Sequence, residues 1–135
     1  MTDARPSRTL HISLWIVQVL LALAFGMAGV MKTTKPIAEL AAAMGWPGVL
    51  PPALVRFIGA SELTGAIGLV LPSVTRIKPQ LTALAGAGLV TIMLLAMAFH
   101  ISRGELKLLP INLTLGGLAA FVAWGRFRKA PIAPR

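Results

Sequence analysis

The 135-residue chain is 56% hydrophobic with 13 glycines besides, and only 13% of it is Asp, Glu, Lys or Arg, whereas an average soluble domain is about 25% charged. That composition excludes an ordinary soluble domain, and equally a disordered tail, which needs low hydrophobicity and abundant charge. Zero cysteines exclude a disulfide framework, a thiol relay, zinc fingers and Cys-ligated iron–sulfur clusters. The formal net charge of +9 comes from Lys and Arg set between long apolar stretches, not gathered on a polar surface with interleaved aromatics, which argues against nucleic acid as a partner.

No charged residue falls between Thr9 and Met31, and Ser13 and Gln18 are the polar breaks within Ile12 to Met31. Since about 20 helical residues cover a hydrocarbon core of ~30 Å, the first transmembrane helix is expected over residues 11–31. Arg5 and Arg8 ahead of Ala22-Leu23-Ala24 have the outline of a cleavable signal. The apolar run nevertheless continues through Phe25, Met27, Val30 and Met31, where a polar region should begin, so an uncleaved helix is expected. In the connection that follows, Pro36 can open a short helix through Met44 and Gly45 can stop it. Trp46-Pro47 then falls where an interfacial aromatic would, so this helix is placed at the membrane surface.

The second span, residues 53–71, opens after Pro51 and Pro52, is closed by Pro72, and contains Arg56 and Glu62. The third, residues 80–101, occupies the charge-free run between Lys78 and Arg103; the fourth, residues 108–125, lies between Lys107 and Arg126 and is entered through Pro110. The fold class expected is an all-α integral membrane four-helix bundle with a short interfacial helix between the first and second spans. Arg5, Arg8, Arg76, Lys78, Arg126, Arg128, Lys129 and Arg135 lie on one side of these spans, against Lys32, Lys35, Arg103 and Lys107 on the other. Positive-inside bias therefore places both termini in the cytoplasm and the chain in a cell inner membrane.

Lipid tails are as apolar as leucine, so the helices must associate through close backbone packing and interhelical polar contacts. Small-residue pairs at the required spacing occur at Ala22 and Gly26, Ser61 and Gly65, Thr64 and Gly68, Ala83 and Ala87, and Gly116 and Ala120. Glu62 is the most informative polar residue, because a charged side chain near the middle of a span costs about 3 kcal/mol on insertion scales. It must be protonated, paired with Arg56 or Lys32, or used as a proton or substrate site; a purely structural polar network is the competing reading. Arg56 and Glu62, six positions apart, lie about 120° apart around an ideal helix and do not stack.

Antiparallel threading brings Lys32, Arg56, His100 and Asn112 to the same half of the bundle as Glu62, with Arg103 and Glu105 in the adjoining loop. Lined by Met27, Met31, Met93, Met97, Phe57 and Phe99, such a cluster is a candidate pocket for an amphipathic molecule. Core packing explains the Met and Phe residues equally well, and solvated helix ends or capping explain the polar ones. A haem held by His11 and His100 is excluded because these lie at opposite membrane faces, a separation approaching ~30 Å. Four acidic residues without a Glu-x-x-His repeat do not make a carboxylate-bridged metal pair. No phosphate loop, GxSxG elbow or HExxH motif marks a self-sufficient catalytic site.

The run Arg56-Phe57-Ile58-Gly59-Ala60-Ser61-Glu62-Leu63-Thr64-Gly65-Ala66-Ile67-Gly68-Leu69-Val70-Leu71-Pro72 resembles the DoxX-like family of small membrane proteins. The similarity extends to Met44-Gly45-Trp46-Pro47, Pro79-Gln80-Leu81-Thr82, His100, Arg103-Gly104-Glu105 and the fourth span, covering roughly Leu20 to Arg126. It implies one membrane domain over residues 1–135, with the family's polar positions falling on Lys32, Arg56, Glu62, His100 and Glu105. The family takes its name from a membrane subunit associated with thiosulfate oxidation and quinone reduction, and distant relatives include a receptor-assembly chaperone. The resemblance does not deliver a reaction, and without cysteine a direct sulfur-transfer role has no nucleophile.

The leading functional expectation is an accessory subunit of a membrane redox complex that holds a quinone-like or other lipophilic molecule, with Glu62 as buried acid, Arg56 and Lys32 as its electrostatic partners and His100 as proton exchanger. An assembly factor or chaperone for another membrane protein is the alternative, and a homo-oligomer is open under either. A small proton-coupled transporter ranks last, because four-helix drug exporters place their glutamate in the first helix, which here has none.

Overall fold

The computed structural model describes residues 5–135, whose regular elements are all helices with no strand among them. The order is α1 (Arg8–Thr34), α2 (Ile37–Met44), a 3-10 turn (Trp46–Gly48), α3 (Pro52–Thr75), α4 (Gln80–Ser102), a second 3-10 turn (Leu106–Leu108) and α5 (Leu109–Trp124), which continues as a π-helical turn (Gly125–Lys129). Four stretches are long and apolar enough to span a membrane: α1, α3, α4 and the continuous run Leu106–Lys129. The short helix between the first two spans is present as α2, with Leu40 on its buried side. Gly45 ends it at φ 80°, a backbone conformation that costs glycine little.

α1 packs chiefly on α3, α3 on α4 and α4 on α5, with a lighter α1–α5 contact closing the bundle. Leu21, Phe25, Ala66, Leu69, Leu89, Met93, Ala119 and Val122 form the shared core. Outward-facing side chains are also apolar, including Ile16, Leu23, Leu94 and Leu113. None of the four spans is therefore strongly amphipathic, as expected when the surrounding solvent is hydrocarbon.

The tightest crossing is between α1 and α3. A Cβ on Gly29 would lie 2.7 Å from the Gly59 carbonyl oxygen, and one on Gly59 would lie 2.6 Å from Lys32 Cβ. Gly26, Gly65, Gly68 and Gly116 from the expected small-residue patterns also meet neighbouring helices, facing Ala66, Leu89, Ala85 and Met93. Gly59 has no small partner four residues away, its neighbours there being Val55 and Leu63, and Gly29 has only Thr33, so spacing did not mark this crossing in the sequence.

Two helix limits differ from those read in the sequence. Pro72 does not close α3, which runs on to Thr75. A buried amide from α1 reaches this turn: Gln18 Nε2 donates to the Leu69 carbonyl at 2.6 Å and lies 3.3 Å from Ser73 Oγ. The contact ties the proline-containing turn of α3 to α1, and a proline is tolerated inside a membrane helix where the surrounding protein re-satisfies freed backbone groups. Arg126 likewise does not belong to a solvated basic tail. The π-helical turn directs it inward, where it is 4% exposed, donating from Nε to Gln18 Oε1 at 2.7 Å and from Nη1 to the Ala130 carbonyl at 2.9 Å. Gly125 permits the approach, since a Cβ there would lie 2.5 Å from Leu14 Cδ2.

Gly59→Val should destabilise the bundle by about 1–3 kcal/mol, because the overpacked atoms include backbone of α1, whereas Gly117→Ala, with nothing within 4 Å of the added methyl, should not. Unfolding of the detergent-solubilised protein by added denaturing detergent measures both.

Candidate functional site

The Gly29–Gly59 approach positions the ion pair. In a helix every Cα–Cβ bond tilts toward the N-terminus, so Lys32 near the end of α1 points back into the membrane. Glu62, on the antiparallel α3, tilts to meet it. Lys32 Nζ donates to both carboxylate oxygens of Glu62 at 2.8 Å, and Glu62 is 2% exposed. The ammonium also lies 5.3 Å from the centroid of the Trp46 ring, so the turn after α2 covers the pair with an aromatic face.

Arg56 is not a direct partner of Glu62. Its Nη1 donates to the carbonyls of Lys32 at 2.9 Å and Lys35 at 2.6 Å. It thereby satisfies acceptors that the end of α1 leaves open, and it fixes the backbone from which Lys32 projects.

Lys32, Trp46 and Glu62 form one side of a cavity of about 360 Å3, with His100 and Asn112 also in its lining. The remaining wall is apolar and comes mainly from α3 and α4, including Leu54, Ile58, Ile92 and Phe99. Phe57 and Leu95 also line it and are each 67% exposed, so the cavity opens sideways between α3 and α4 on the surface that faces lipid. Of the sulfur and aromatic residues expected here, Met93, Phe57 and Phe99 line the cavity. Met27, Met31 and Met97 do not: Met27 lies on the outer surface of α1, turned away from α3 by the helix period, and is itself 67% exposed.

His100 and Asn112 are buried, yet Nδ1 of His100 and Nδ2 of Asn112 have no hydrogen-bond partner. Buried polar atoms are nearly always satisfied, so two unpartnered ones in the lining of one cavity mark where a polar group fits. His100 Nδ1 lies 3.6 Å from Glu105 Oε1, beyond hydrogen-bond distance, while the Glu105 backbone N–H donates to the His100 carbonyl at 2.8 Å. Arg103 lies outside the cavity; its Nε donates to Glu105 Oε1 and its guanidinium sits 5.6 Å from the Phe99 ring centroid.

The structure thus brings Lys32, Glu62, His100 and Asn112 to one cavity, connects Glu105 and Arg103 to it from the loop, and assigns Arg56 to the helix end. Trp46, expected as an interfacial aromatic, and Ser61, expected as a packing residue, also line the cavity. Gly45 at positive φ followed by Pro47 fixes the turn that carries Trp46. Among the described residues, no group of three or more His, Cys, Asp or Glu side chains is placed to hold a metal ion.

A polar-floored lateral cavity within four antiparallel spans defines a small integral membrane protein built around an intramembrane ion pair. Residues 16–122 match the DoxX-like family, and the chain belongs to it. No curated protein and no solved structure matches the chain.

The hydrogen-bonded Arg103 side chain, with His100 beside it, holds the Glu105 carboxyl below its ordinary value of 4.5. A depressed folded-state pKa makes the stabilising contribution complete at neutral pH and lost as pH falls below 4.5 through the folded value. Arg103→Gln should move the Glu105 titration upward toward 4.5, as followed by carboxyl carbon NMR. An unchanged titration would contradict this linkage.

Proposed function

We propose that the lateral cavity binds a lipophilic molecule carrying a hydrogen-bond-accepting head, of which a quinone is the type, and that the protein serves as an accessory subunit of a membrane redox complex. The observation that carries this reading is the pair of unpartnered polar atoms, Nδ1 of His100 and the amide Nδ2 of Asn112, inside an apolar cavity open to lipid. Carbonyl oxygens of a head group would accept from them. Glu62 and His100 are the groups able to exchange protons at that head, while Lys32 supplies the compensating charge.

A second cavity shares Phe57, Ser61 and Ile92 with the first and continues along α3 and α4 past Gly65, Gly68, Ala85 and Gly88. It gives an apolar tail a path along the bundle. The same small residues favour the alternative, an assembly factor that docks a helix of another membrane protein there. Proton-coupled transport ranks below both, since α1 carries no acidic residue. In this reading the protein lies in a cell inner membrane with both termini cytoplasmic, the orientation set by its Lys and Arg distribution.

Gentle extraction from the native membrane followed by mass spectrometry of co-purified molecules tests the proposal. A quinone or related lipid should accompany the wild-type protein and be reduced about tenfold or more in Asn112→Leu and Glu62→Gln, since a lost charge-assisted or buried hydrogen bond is worth about 1.5–3 kcal/mol. Unchanged retention in both variants contradicts ligand binding here, and a stoichiometric protein partner without any such ligand supports the assembly role.

A further inference from the structure

The membrane face that carries both chain ends holds a second polar site, independent of the cavity between α3 and α4. A cavity of about 480 Å3 is lined there by Arg8, His11, Trp15, Arg76 and Ile132 among others. Arg126 stands behind its wall: Nη1 lies 3.0 Å from His11 Nδ1, and the guanidinium carbon lies 5.6 Å from the Trp15 ring centroid. This arginine is 4% exposed and its Nη2 has no partner. Its other contacts, Gln18 Oε1 and the Ala130 carbonyl, are uncharged. Arg76 likewise donates only to backbone carbonyls, those of Ala133 at 2.8 Å and Pro134 at 3.5 Å. Among the described residues, the carboxylates that meet a Lys or Arg are Glu62, paired with Lys32, and Glu105, paired with Arg103, so no carboxylate compensates Arg8, Arg76 or Arg126.

A buried guanidinium without a counter-charge is strongly unfavourable. Arg126 is one such group behind the cavity wall, and Arg8 and Arg76, exposed at the rim, add two more positive charges; together they call for an anion, and the planar fork of arginine matches phosphate oxygens. The site lies where the first and second spans reach the membrane surface, at the level of lipid head groups, and Trp15 and Ile132 give it an apolar wall. We propose that this cavity binds the phosphate of an anionic phospholipid from the leaflet at which both termini lie.

The test uses the purified full-length chain, delipidated in detergent and offered equal amounts of phosphatidylglycerol and phosphatidylcholine, with bound lipid counted by native mass spectrometry. Phosphatidylglycerol should be retained in preference. Arg8→Gln and Arg76→Gln, both exposed at the cavity rim, should each weaken it about fivefold, while Arg128→Gln, an exposed arginine outside the cavity, should not. Asp3→Asn should leave the preference intact, showing that the chain's own acid does not fill the site. Equal retention of the two lipids overturns the proposal, as does an equal loss in Arg128→Gln, which would mean general charge attraction. Displacement of the lipid by millimolar inorganic phosphate would overturn the lipid assignment in favour of a soluble anion.

Discussion

A charged pair inside hydrocarbon persists only if each charge meets the other at hydrogen-bond distance and the backbone brings them there without strain. Lys32 and Glu62 meet that condition because Gly29 and Gly59 let α1 and α3 approach to backbone contact. Much else follows from this crossing. Arg56 is free to close the end of α1 because Glu62 is already paired, and Trp46 covers the ammonium because the connection after α1 must fold back over it. The lateral cavity then has a charged floor and apolar walls.

The bundle has polar reinforcement at both ends, built on different chemistry. At one end a carboxylate and an ammonium cancel. At the other, Gln18 ties the proline-containing turn of α3 to Arg126, and Ser73 and Thr82 share a hydrogen bond of 2.7 Å between α3 and α4. At the first end the buried pair is balanced and the cavity beside it offers unpartnered polar atoms of His100 and Asn112, suited to a carbonyl-bearing head. The second retains positive charge, suited to an anion. The two ends are therefore expected to select different molecules from the same membrane.

Absence of charge over the required length made three of the spans legible, and the prolines at its margins made the second legible despite Arg56 and Glu62. Pro36 and Gly45 made α2 legible for the same local reason that they bound it in the structure. The site was legible in part. Threading alone brought Lys32, Glu62, His100 and Asn112 to one end, but it could not choose between Lys32 and Arg56 as the partner of Glu62, because that choice depends on how closely two helices approach. The inward turn of Arg126 depends on tertiary contact in the same way. That residue's position beyond the last apolar residue reads as a solvated tail, and only the π-helical turn and the contact of Gly125 with Leu14 direct it inward. Pro72 marks an end of α3 on local grounds, yet the helix continues to Thr75 in a turn that Gln18 of α1 contacts at Leu69 and Ser73.

The dependence of the bundle on its ion pair is most directly measured by a double-mutant cycle of Lys32→Met and Glu62→Leu, read as unfolding free energy in a membrane-mimetic detergent. Each single change should cost about 3 kcal/mol because it leaves one buried charge unpaired, and the double change should cost far less than their sum. Strictly additive losses would show that the two side chains stabilise the bundle independently, and the crossing of α1 and α3 would then have to be explained without the pair.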